Sequence, residues 1–166
     1  MKKLMLGLTV LSTLLVASQL TFAQSSASAN VTVQAKVIAA LSITPTSATL
    51  NFGEVAQGTS PAILPGSASS IAFTVAGEPN HAATLTYNAT ATLNGPNGST
   101  PLTFTASVIG NTTNSTSGAA SLSSGTSITL SGSGNYYIWL GGSLGSILAS
   151  QTTGQYSGAL TITVSY

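Results

Sequence analysis

Glu78-Pro79-Asn80-His81 is the one place in this 166-residue chain where a carboxylate and an imidazole stand three residues apart, and His81 is the sole histidine. With serine plentiful, such a pair suggests a Ser–His–Glu relay, in which the acid orients the imidazole and the imidazole takes the hydroxyl proton. Pro79 and Asn80, however, have turn chemistry of their own, so the tetrapeptide reads as an exposed turn. A metal shell drawn from one His and two acidic residues, with no Cys, is too sparse for a standard zinc or calcium site. Gly141-Gly-Ser-Leu-Gly145 and Gly132-Ser-Gly134 look like fragments of phosphate loops. Neither leads into a helix or a Lys, which that mechanism requires, so both read as tight turns. The expectation is no catalytic residues, no metal, no cofactor and no enzyme.

Tyr136-Tyr-Ile-Trp-Leu140 is the other stretch with chemistry to offer. On a strand, Tyr136, Ile138 and Leu140 share one face, and Tyr137 and Trp139 the other. One set belongs to the core. An exposed Tyr137/Trp139 pair would stack on sugars or anchor an interface; the alternative buries it under the segment Gly110–Gly125.

Charge is nearly absent. The chain has three Lys, two acidic residues and a formal net charge of +1. Lys2 and Lys3 precede the apolar run Leu4–Ala17, and Thr21-Phe22-Ala23 is a cleavage-type triplet. Residues 1–23 therefore read as an export signal rather than as structure, with Ala27-Ser28-Ala29 as a second candidate site. Cleavage after Ala23 leaves Lys36, Glu54 and Glu78, a net charge of −1. So few cations exclude counterion-driven nucleic-acid binding, and no second apolar run is long enough to span a membrane as a helix. With no Cys, an exported domain must hold together without disulfides. A surface solvated by Ser, Thr, Asn and Gly lacks the usual electrostatic guard against self-association.

After the leader the periodicity is two, not 3.6. Strands are expected near Ala29–Ile43, Thr49–Phe52, Ile71–Val75, Thr84–Ala91, Leu102–Val108, Ser127–Leu130, Tyr136–Leu140 and Ala159–Tyr166, with turns at Gly58–Pro61, Asn94–Gly98, Gly110-Asn111, Gly132–Asn135 and Gly141-Gly142. Gly110–Gly125 reads as a long loop with a weak edge strand at most. Short strands with regular turn signals give an all-β fold, a β-sandwich of seven to nine strands.

The two ends carry the cleanest alternation. Leu160, Ile162, Val164 and Tyr166 face one way at the C-terminal end; Val31, Val33, Ala35 and Val37 do so at the other. The N-terminal run of about 15 residues would extend to ~50 Å, far beyond a typical sandwich strand. Either it bends and serves both sheets of its own domain, or Ala27–Val37 leaves to complete a neighbour's sheet by strand addition. The second arrangement is head-to-tail and builds a fibre.

Three stretches carry a family resemblance: ANVTVQAKVIAALSITPTSATLNFGEVAQGT, the turn in IAFTVAGEPNHAATLTY, and YYIWLGGSLGSILASQTTGQYSGALTITVSY. In order and spacing they resemble the exported bacterial domain of unknown function 4402 family, which is similar in pattern to spore coat protein U and to chaperone–usher pilins. The resemblance implies an immunoglobulin-like sandwich. It also implies a last strand marked by Gly154 and the terminal Tyr166, at places comparable to the pilin glycine and near-terminal aromatic. The chain departs from pilins in having no disulfide and in ending on the aromatic itself.

The resulting expectation has three parts: a leader over 1–23, an extended N-terminal strand over 24–40 that can act as donor, and an immunoglobulin-like sandwich over 41–166. The function expected is that of a secreted, cell-surface structural subunit, pilin-like or coat-like, assembling by donor-strand exchange. Val31, Val33, Ala35 and Val37 would be the donor residues, and Gly154, Tyr156, Leu160, Ile162, Val164 and Tyr166 would mark the acceptor strand. Its partners would be copies of itself or related subunits, with a periplasmic chaperone and usher. The alternative is a monomeric secreted adhesin or carbohydrate-binding module using Tyr137 and Trp139.

Overall fold

A computed structural model describes residues 26–166; the expected leader over 1–23 lies outside them. The described chain is all-β, with no helix. Its ten strands are β1 (Ser42–Pro45), β2 (Ala62–Ile63), β3 (Ile71–Ala76), β4 (Ala82–Tyr87), β5 (Thr90–Leu93), β6 (Leu102–Asn111), β7 (Ala120–Ser121), β8 (Thr126–Thr129), β9 (Asn135–Leu144) and β10 (Ile162–Ser165). Two of them, β2 and β7, are only two residues long, so the eight longer strands fall within the expected seven to nine. The larger sheet runs β1-β3-β9-β6-β5, with β2 added to β9 and β7 to β6; the smaller runs β10-β4-β8. Together they form a sandwich-like pair with an apolar interior.

The interior follows from the alternation. Tyr136, Ile138 and Leu140 of β9 enter the same core as Val75 of β3, Val108 of β6, Leu85 of β4 and Ile128 of β8. Val75, Leu85, Leu130 and Ile138 are fully buried. A second cluster of Leu102, Phe104, Leu144 and Ile147 lies toward the other end, where the Phe52 ring meets Phe104 edge-on at 6.0 Å. Gln151, a buried polar residue, joins that end together. Its Nε2 donates to Thr100 O at 2.5 Å and to the Tyr156 hydroxyl at 2.7 Å. Its carbonyl accepts from Gln57 Nε2.

Several expected elements differ. The run Ala29–Ile43 does not form one strand: pairing begins at Ser42 opposite Ala76, and residues 26–36 carry no strand and are exposed. A strand needs a ladder partner, and among the described residues that segment takes part in no strand pairing. The compact sandwich unit is Val37–Tyr166. Thr49–Phe52 is likewise not a strand. Thr84–Ala91 is two strands in different sheets, the chain crossing over at Asn88-Ala89. Ser124 Oγ accepts the Tyr87 N–H at 2.9 Å and ends the first, while Ala89 O accepts from Ala106 and starts the second.

The glycines of Gly141-Gly142 are not a turn but the interior of β9. A side chain is excluded there by backbone: a Cβ on Gly141 would fall 2.2 Å from Ile63 O. Glycine in a strand marks such close approach, and here it admits β2. Gly110-Asn111, also expected as a turn, closes β6.

Burial raises the pKa of the Tyr87 and Tyr136 phenols above the ordinary 10.0. Their folded pKa lies above the unfolded one, so this contribution is complete below about pH 10 and is lost as pH rises through the folded values. The melting temperature should therefore fall above about pH 10, and Tyr136→Phe should soften that fall. A melting temperature level from about pH 9 to 11.5 would contradict it.

Candidate functional site

The sandwich is left open along one side. An apolar cleft of about 700 Å³ draws its lining from three places. Ile71, Phe73, Ala91, Leu93, Phe104 and Leu140 come from the larger sheet, Ile43 and Pro45 with Ser47–Leu50 and Phe52 from β1 and the chain after it, and Ser157–Ile162 from the approach to β10. These are the residue types of a core. Phe73, Leu50, Leu160 and Ile162 are only half-buried, because no described residue fills the space.

The cleft exists because the final run does not stay in one sheet. Ser157 bridges Asn94, beyond β5 of the larger sheet, and Gly158 packs on the Thr92 carbonyl. The chain then reaches the smaller sheet, where Ile162–Ser165 pairs with Tyr87–Thr84. The strand expected over Ala159–Tyr166 is thus shortened to β10, although Leu160, Ile162 and Val164 keep the inward face. β10 ends the order of its sheet and β1 that of the other, so each has an edge without a ladder partner among the described residues. Such an edge is a template for another strand.

Gly154 and Tyr156 lie outside β10. Gly154 has φ +146 and packs on Pro96. Tyr156 lies over Gly95 and donates its hydroxyl to Thr152 O at 2.8 Å. Both shape the loop that leads to the cleft.

Tyr166 does something the alternation alone could not show. Its hydroxyl accepts from Glu78 N at 2.6 Å and donates to Ala39 O at 2.9 Å. The Glu78 carboxylate accepts from Ala39 N at 3.0 Å. Both backbone groups of Ala39, just before β1, are therefore engaged. Gly77 makes room for this, since a Cβ there would lie 2.5 Å from the Tyr166 hydroxyl. His81 stands edge-on against the Tyr166 ring at 5.0 Å. Glu78 and His81 thus pack around a tyrosine in a turn.

The apolar residues of the N-terminal arm are unburied: Val31 is 82% exposed, Val33 89% and Val37 92%. Ala35 is exposed as well. Trp139, by contrast, is only 7% exposed, and Tyr137 is half-buried. Near Trp139's cross-strand neighbour Ile109, Gly66 and Thr116 come together, so loops close over this face. Trp139 offers no open stacking platform.

The family description "domain of unknown function (DUF4402)" matches residues 17–166. The chain belongs to that family. No curated protein matches it. In this DUF4402 chain, Phe73-x-Val75-x-Gly77-Glu78-Pro79 is the end of β3 and the turn that holds Ala39 and Tyr166. Alternation located the inward face of β10. It missed the cleft floor, Phe73, Phe104 and Leu140, because apolar residues on central strands read as ordinary core. It also missed the clasp on Ala39, whose only signal was Gly77 beside an acid in a turn.

Proposed function

We propose that this DUF4402 domain is an exported structural subunit of the cell surface, pilin-like or coat-like. In this reading it assembles by donor-strand exchange: Val31, Val33, Ala35 and Val37 of one copy enter the cleft of the next and add a strand at the edge of β10. The observation that carries the reading is the open cleft lined by core-type side chains, in a chain that also carries an exposed, alternately apolar arm. Backbone hydrogen bonds supply affinity in strand addition, and the alternate side chains set register. The near-absence of charge removes repulsion between copies, and the likeness to pilins points the same way. A periplasmic chaperone and usher would guard the cleft before assembly.

The test is a denaturing gel of the mature protein, with and without boiling, and electron microscopy of the same sample. Strand-exchanged polymers are held by a continuous ladder and a dry interface, so a ladder of bands should collapse to one on boiling. A single band in both lanes, with no polymer by microscopy, would overturn the reading.

A further inference from the structure

Donor-strand assembly leaves a problem that the clasp at Ala39 addresses. A chain with an exposed apolar arm and an open cleft can fill its own cleft and stop. Resting on the reading above, we propose that the connection through Val37–Leu41 bars this, so that the cleft accepts only the arm of a second copy.

The argument is one of chain direction. The cleft lining starts at Ile43 and continues through Pro45 to Phe52. The arm comes immediately before that stretch, so to enter its own cleft it must double back beside the chain that follows it. Ala39 cannot take part in the reversal, because its N–H and carbonyl are held by Glu78 and Tyr166. Leu41 is packed against the core. A tight reversal is thereby pushed onto Val37 and Ile38.

Two-residue hairpin turns need positive φ, supplied by Asn-Gly, Asp-Gly or Gly. Val37 and Ile38 are both β-branched, the class for which positive φ is a true outlier. A wider loop is open to the chain only by spending Ala35, Lys36, Val37 and Ile38 as connection. That leaves only Val31 and Val33 of the four alternate residues to enter the cleft. A second copy meets neither restriction: its whole arm enters unshortened.

The experiment is a competition. A fluorescent peptide of residues 27–37 is titrated into three full-length mature proteins held monomeric by dilution: wild type, V31N/V33N, and V37N/I38G. The double-Asn arm cannot fill a cleft, so that protein reports the open site. The Asn-Gly variant supplies the missing turn. Wild type should bind the peptide as tightly as V31N/V33N, within about twofold. V37N/I38G should bind it at least about tenfold more weakly and remain monomeric when concentrated. If wild type binds at least tenfold more weakly than V31N/V33N, its own arm occupies the cleft; the inference falls while strand exchange stands. If no protein binds the peptide, the strand-exchange reading itself falls. Thermal melts of all three establish that each is folded.

Discussion

Replacing Val31 and Val33 together by Asn should abolish assembly and leave the subunit as stable as before. Both side chains are almost wholly exposed in the single chain, and surface changes of that kind usually alter folding by no more than about 0.5 kcal/mol. In the assembled state the same residues would be core. Each Val would contribute about 1.5 kcal/mol or more by burial. An Asn in its place would bury an amide whose unmet hydrogen bonds cost a further ~1–3 kcal/mol. Two such losses exceed about 4 kcal/mol, or roughly a thousandfold in association. Size exclusion at rising concentration measures the first effect, and denaturant unfolding of the monomer the second. A variant that still polymerises would remove the arm from the mechanism. One that unfolds would place those valines inside the subunit's own core.

That separation between subunit stability and assembly marks how far the sequence could be read. Alternation located β3, β6, β8, β9 and the inward face of β10, because a half-buried strand writes its burial into every second residue. It also overran. Residues 29–37 alternate as well as any strand in the chain, yet none of them lies in a strand among the described residues. Period two records that a segment is suited to lie between an apolar and a polar side, and not whether that side belongs to the same molecule.

The crossover at Asn88-Ala89 was hidden for a related reason. Thr84–Ala91 keeps its alternation while changing sheets, with no Gly or Pro at the bend. The cleft was invisible because Phe73, Phe104 and Leu140 look like core; the path of residues 157–162 leaves Phe73 half-buried, while Phe104 and Leu140 are buried. The clasp depends on contacts between residues 39, 78 and 166, too far apart in sequence for any local pattern to join. Where local signals were richest, in the glycines, they told of tight backbone but not of its kind.

Gly142 decides between the two kinds. Read as a turn glycine, it would accept Ala at the modest penalty of an exposed loop. As the structure has it, Gly142→Ala should be among the most damaging single substitutions in the domain. The residue lies within β9, opposite Ala106 of β6 and Ile63 of β2, with φ +153. An added Cβ would sit 2.3 Å from Thr105 O and 2.5 Å from the Phe104 ring. The ring can swing aside, though only by disturbing a residue that lines the cleft. The Thr105 carbonyl is backbone of the neighbouring strand and moves only if the β6–β9 ladder opens. Backbone strain of ~1–3 kcal/mol adds to overpacking of similar size, so about 3 kcal/mol or more should be lost, a large part of a typical domain's total of ~5–15 kcal/mol. Gly145→Ala is the matched control. Gly145 has no positive φ, and the nearest atom to its Cβ would be Thr103 O at 3.6 Å, ordinary contact. Denaturant midpoints should therefore separate the two variants widely. Equal midpoints would mean that Gly142 has room, and that the close β2–β9–β6 packing which shapes the cleft floor is not as described.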